Sequence, residues 1–136
     1  MNNHAETVGK IYEAFGKGDI PAILEHIAED VRWEAWENNY AQNADVPWLQ
    51  PGTGKHRVMN FFKIVGEMKF NEFTIKSIMP GPDQVAVELV LEAVLPGTGV
   101  VLRDEEIHLW TFNAEGKVIR MRHYADTAKH IQAAEA

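Results

Sequence analysis

The chain has no cysteine, which excludes disulfides and thiolate chemistry. Basic residues are scarce: 13 Lys and Arg stand against 20 Asp and Glu, a formal net charge of −7. A nucleic-acid groove wants a basic stripe and an anionic membrane a basic patch, so neither partner is expected. No apolar run approaches the ~20 residues of a membrane span. The opening MNNHAET lacks the charged-then-apolar run of a signal peptide, and cytoplasmic residence is the expectation. Repeats, low-complexity segments and linkers are also missing. Residues 1–136 are therefore expected to form one domain, with 46% apolar residues to build its core.

What is present begins with helical spacing. Val8, Ile11, Tyr12 and Phe15 fall at i, i+3, i+4 and i+7 and predict an amphipathic helix ended by Gly16 and Gly18. Asp19 can cap a second helix with Pro21 in its first turn and Ile20, Ile23, Leu24 and Ile27 on its apolar face. Residues 30–36 alternate as a strand, with Val31, Trp33 and Ala35 on one side. No period survives across 37–54, where Tyr40, Trp48 and Leu49 sit among Asn, Gln, Pro and Gly. A loop of that length is usually functional or disordered, and its aromatics suit a lid. Val58, Phe61, Phe62 and Val65 restore helical spacing.

The remainder reads as four strands, 69–79, 84–95, 100–112 and 117–125, separated by turn-forming Pro, Gly, Asp and Asn clusters. Asp126 can cap a closing helix over 127–134. Helices followed by a strand meander predict an α+β fold with helices on one face of a mostly antiparallel sheet.

The hairpin made by the last two strands carries the chemistry. With a period of two, Glu106, His108, Trp110 and Phe112 share one face, and Ile119, Met121, His123 and Ala125 share the other strand's face. Two imidazoles then look toward an apolar interior. An imidazole there can take up and return a proton near neutral pH. The plainer reading is that both are satisfied buried groups or lie on the outer face. Glu106 with the two histidines supplies three metal-ligand types, but no His-Glu-x-x-His motif supports them, and no metal is expected. Trp33, Trp110, Met121 and Phe15 suit a pocket wall, but ordinary core packing is the readier explanation for each. Trp36, Tyr40 and Trp48 read as lid or as dimer contact. His4, His26, His56 and His130 are expected to be solvated, and Arg120, Arg122 and Tyr124 to lie on the outer sheet face.

The order of these elements resembles the NTF2-like superfamily, in its SnoaL-like polyketide-cyclase and ketosteroid-isomerase branch. The resemblance rests on Gly18-Asp19, Glu29-Asp30-Val31-Arg32-Trp33, Phe61-Phe62, Gly116-Lys117-Val118 and Arg122-His123-Tyr124-Ala125-Asp126. It implies a cone: a strongly curved sheet wrapped on three N-terminal helices around an apolar cavity, commonly dimerised through the outer sheet face. The isomerases' general-base Asp falls at Ala35 here, and a one-residue shift brings Glu34 into play. Their protonated hydrogen-bonding Asp falls at His108, and their donor Tyr near Ile11, with Tyr12 adjacent. The acid/base Asp that cyclases and limonene-epoxide-hydrolase-like members carry on the last strand falls at His123.

The function implied is cofactor-independent proton transfer on a small hydrophobic carbonyl, aromatic or polyketide-like molecule. His123 would act as acid/base and His108 would polarise an oxygen. Trp33, Trp110, Met121, Glu106, Tyr12, Phe15, Trp36 and Trp48 would contact the ligand. The alternatives are a non-catalytic binding module and a protein-interaction scaffold.

Overall fold

The computed structural model describes residues 3–136. The first helix, α1 (His4–Gly16), buries Val8 and Ile11 as its spacing predicts. At Gly18 φ is +69°, a left-handed conformation that only glycine adopts cheaply, and the chain turns there. Asp19 then caps α2 (Ile20–Leu24) by accepting a 3.1 Å bond from the Ala22 amide. That helix ends earlier than its apolar spacing suggests, because Ile27 already belongs to strand β1 (Ile27–Trp33).

The aperiodic stretch is ordered rather than an open loop. It holds α3 (Tyr40–Asn43), a 3-10 turn (Pro47–Leu49) and β2 (Gly52–Thr53), which pairs with β1. Side chains satisfy its backbone in place of a regular ladder. Asn39 caps α3, Gln50 Nε2 donates to the Val46 carbonyl at 2.9 Å, and Arg57 Nε donates to the Gln50 carbonyl at 2.9 Å. Trp48 and Leu49 are buried, whereas Tyr40 is 77% exposed.

Helix α4 (Lys55–Gly66) buries Val58, Phe61, Phe62 and Val65. Strands β3 (Lys69–Pro80), β4 (Gln84–Val94), β5 (Val101–Phe112) and β6 (Val118–Tyr124) follow, and α5 (Thr127–Glu135) closes the chain behind its Asp126 cap. The sheet order is β2-β1-β6-β5-β4-β3, antiparallel except where β1 runs parallel to β6. Register shifts interrupt β1/β6, β3/β4 and β5/β6, and such bulges bend and twist a sheet. The resulting curved, open mixed sheet folds over the helices. Its inner face meets α1 and α4 in one aromatic and aliphatic core that includes Trp33, Phe61, Phe62, Trp110 and Met121. Among the described residues no helix is long and apolar enough to cross a membrane.

Candidate active site

The β5/β6 hairpin places His108 directly opposite His123 and Trp110 opposite Met121, and β1 brings Trp33 opposite Met121. The two imidazole centroids lie 4.6 Å apart, nearly perpendicular. The bulge between Thr111 and Phe112 alters one expectation. Val118, not Ile119, points inward beside Met121 and His123, because the shifted register turns the face over at that point.

These side chains face a pocket of about 70 Å³ open to the centres of water molecules. One water needs roughly 10–15 Å³ by that measure, so the space has room for several waters or a comparably small group. Its walls are Ile11, Tyr12 and Phe15 from α1, Trp33 from β1, Trp48 and Leu49 from the 3-10 turn, Phe61 and Phe62 from α4, and Glu106, His108, Trp110, Met121 and His123 from the hairpin. His130 of α5 and apolar side chains of β3, β4 and β5 complete it. Trp36 is absent from these walls. Its ring packs on Tyr124 at 4.9 Å, on the face of β6 opposite His123, because the chain leaves the sheet's inner face after Ala35.

Two polar networks occupy the walls. In the first, Glu34, 1% exposed, receives His123 through both the backbone amide (3.0 Å to Oε2) and the ring Nδ1. Strand alternation stops at Trp33, so Glu34 and Ala35 are both buried and the carboxylate turns in toward β6. The Trp36 amide also donates to it, at 3.3 Å. In the neutral ring a carboxylate on Nδ1 fixes the tautomer: Nδ1 carries the proton and Nε2 the lone pair. Nε2 has no partner among the described residues.

The second network is a chain. Glu106 Oε1 lies 3.0 Å from His108 Nε2, and Oε2 lies 2.9 Å from His130 Nε2. Burial alone would raise Glu106, but the bonds from His108 and His130 prevail and hold it well below the usual carboxylate range. It is therefore an acceptor only, and His108 must donate from Nε2. Burial, partly offset by the Glu106 bond, also pushes His108 down, so the ring is neutral and its Nδ1 accepts. Tyr12 Oη donates to that Nδ1 at 2.7 Å and accepts from Trp110 Nε1 at 3.1 Å. Desolvation raises the Tyr12 hydroxyl far above its ordinary value, so it stays protonated.

Both nitrogens of His108 are thus engaged by protein, which removes it as the group that would polarise a ligand oxygen. It positions Tyr12 instead.

His130, expected on the surface, is 3% exposed. Its Nε2 lies 2.9 Å from Asp104 as well as from Glu106, and Trp48 Nε1 donates to its Nδ1 at 2.8 Å. Burial disfavours a charged ring, yet the bonds to Asp104 and Glu106 override this and push it up to about 9. A protonated ring carries hydrogen on both nitrogens and cannot accept from Trp48. Protonation and the Trp48 bond are mutually exclusive.

The same bond bears on metal binding. Asp104, Glu106 and His130 hold ligand-type atoms within 4.8 Å of one another. With Nδ1 accepting from Trp48, the proton of a neutral His130 sits on Nε2 and leaves no lone pair there for a cation. His4 is also buried, stacked on Phe112 at 4.2 Å, while His26 is half-buried and His56 is exposed.

Glu34 and His130 are the site residues that periodicity missed, whereas Asp104 continues the alternating inner face of Glu106 and His108 and is buried with them. The signal for Glu34 was the one-residue ambiguity at Ala35, and for His130 its place one turn before the buried Ala133 on the same helix face.

The model of the SnoaL-like domain matches residues 8–121. The chain belongs to the SnoaL-like domain family. Comparison with curated proteins finds no match. An NTF2-like protein of unknown function from Burkholderia pseudomallei is 24% identical, with a TM-score of 0.80 and full coverage of both chains. TerC, co-crystallised with polyporic acid, is 21% identical over 99% of this chain and 100% of its own, with a TM-score of 0.76. The Delta 5-3-ketosteroid isomerase from Mycobacterium sp. is 20% identical over 88% and 89% of the two chains, with a TM-score of 0.68. At these identities the solved structures establish a shared fold. This SnoaL-like domain therefore has the NTF2-like architecture its element order implied, and its activity has to be argued from its own side chains.

Proposed function

We propose that the pocket binds a small hydrophobic carbonyl compound and that the Glu34–His123 pair moves a proton on it without a cofactor, in isomerase, cyclase or hydrolase-type chemistry. One observation carries this reading: His123 lines an apolar pocket with Nδ1 bound to a buried carboxylate and Nε2 unpartnered. A lone pair held in place by its neighbour, in an apolar pocket, is the arrangement a general base needs. Glu34 fixes the tautomer and balances the charge that the imidazolium acquires.

The test is turnover and binding together. Wild type, His123→Ala and Glu34→Gln are titrated by tryptophan fluorescence against enones, epoxides, aromatic polyketide-like acids and steroids. Carbon-bound proton exchange in D₂O is then followed for each ligand that binds. Loss of His123 should lower exchange by about 10²–10⁴-fold, the usual contribution of a positioned acid/base, with affinity retained. An unchanged rate removes His123 from the role.

A second reading, a non-catalytic binding module, is favoured by the closure of the Tyr12–His108–Glu106 chain on itself, which leaves no second imidazole for chemistry. It predicts saturable binding that survives both substitutions and no exchange with any ligand.

A further inference from the structure

Hydrogen-bond donors on the pocket wall can be followed one by one. The Tyr12 hydroxyl is committed to His108, the Trp110 indole to Tyr12 and the Trp48 indole to His130. His108 Nε2–H goes to Glu106, His130 Nε2–H to Glu106 and Asp104, and His123 Nδ1–H to Glu34. One donor remains. Trp33 is fully buried and lines the pocket, and its Nε1–H has no acceptor among the described residues. Leaving such a group unpaired forfeits a hydrogen bond it had in water, and native structures rarely do so without reason.

Its neighbours explain its position without satisfying it. Trp33 packs against Phe61, Phe62 and Trp110 at ring-centroid distances of 5.4 to 5.8 Å, and its ring lies 6.2 Å from that of His123 on the adjoining strand. The pocket's unpaired donor and its unpaired base are thus adjacent.

We infer that Trp33 Nε1–H is the hydrogen-bond donor for the ligand's oxygen, and that the ligand is a neutral ketone, enone or ester small enough to lie in the pocket against both Trp33 and His123. This rests on the reading of His123 as base. A carboxylate ligand is disfavoured by the ionised, buried Glu106 on the opposite wall. In the step itself, a proton on the carbon beside the carbonyl passes to His123 Nε2. The C–H electron pair forms the new C–C π bond, and the carbonyl π pair moves onto oxygen. The oxygen becomes an enolate held by the indole N–H, and the imidazolium remains beside Glu34. Return of the proton to either end of the enolate regenerates the base. The indole bond strengthens as charge gathers on the oxygen, so it favours the transition state over the bound ketone.

The probes are cyclohex-2-en-1-one and methylenecyclohexane, nearly the same shape with and without oxygen. Protein with ¹⁵N-labelled tryptophan shows the indole N–H of each of the four tryptophans, and contacts to Phe61 and Phe62 identify Trp33. The expected result is a downfield shift of the Trp33 N–H on adding the ketone and none on adding the hydrocarbon. Trp33→Phe should weaken ketone binding about five-fold, the value of one neutral hydrogen bond, while hydrocarbon binding stays within two-fold of wild type. The wild-type shift decides the matter alone if that variant does not fold.

An unmoved Trp33 N–H in a ketone-saturated protein overturns the inference, as an N–H directed into the π face of Trp110 would behave. Equal weakening of both probes also overturns it. Failure of either probe to saturate removes the pocket and this inference together. Exchange that persists in His123→Ala while the Trp33 shift is present overturns the base alone.

Discussion

Replacing Glu106 by Gln tests the hydrogen-bond chain most severely, because the change is nearly isosteric and its cost is electrostatic. The carboxylate is 5% exposed and accepts from two ring N–H groups, His108 at 3.0 Å and His130 at 2.9 Å. An amide has one acceptor oxygen and one donor nitrogen, so it can satisfy only one ring. Bonds to a charged partner contribute about 1.5–3 kcal/mol each. If the amide faces His130 with its oxygen, its NH₂ meets His108 Nε2–H, donor against donor. His108 then moves its proton to Nδ1 and loses the Tyr12 hydroxyl as a donor.

The sum is about 3 kcal/mol of lost stability. For a chain of 136 residues, at about 2.1 cal/mol/K of unfolding entropy per residue, this lowers Tm by roughly 10 °C. Urea unfolding at pH 7 measures the first quantity and a thermal melt the second. The ¹⁵N spectrum of His108 should show a protonated Nε2 in wild type and a protonated Nδ1 in the variant. A loss below about 1 kcal/mol, within the ordinary range of single substitutions, with an unchanged His108 spectrum would refute the chain and its tautomers.

Three further outcomes follow from the same geometry. His130 is raised in the folded state, so its stabilisation is complete below its ordinary value near 6.5 and is lost as pH rises through about 9. That interval corresponds to about 3 kcal/mol at most, and it should be largest in Trp48→Phe, where no indole competes for Nδ1. Urea midpoints from pH 6 to 10 check this, and a flat profile in that variant contradicts it. By NMR titration, Trp48→Phe should also make His130 protonate at a higher pH than in wild type, and a lower value would remove the Trp48 bond from the account. Asp19→Ala deletes the cap on the Ala22 amide and should cost about 1 kcal/mol in chemical denaturation; no change would mean the turn at Gly18 alone sets the start of α2.

Much of this was legible in the sequence wherever a period ran unbroken. The alternation of Glu106, His108 and Trp110 placed all three on the inner face, and Asn113 with Gly116 marked the turn that sets Trp110 against Met121. Legibility failed where a period breaks. The bulge at Ile119 turns one face over, and the end of β1 at Trp33 brings Glu34 inward when simple alternation sends it out. The 37–54 stretch showed no period because its order comes from Asn39, Gln42, Gln50 and Arg57 side chains bonded to backbone, which leaves no trace in hydropathy. His130 was misplaced for a related reason. Polarity says that a residue can be solvated, but only the tertiary fold shows that two carboxylates and an indole wait for it instead.

The parallel pairing of β1 with β6 has a kinetic meaning. Glu34 and His123 stand 89 positions apart and meet only once the last strand has docked beside the first. Contacts that close so long a stretch of chain form late, since their entropy cost falls due before their bonds are made. On the proposed function, partly folded forms that lack this docking should not move a proton, and a proton-exchange assay would double as a gauge of complete folding.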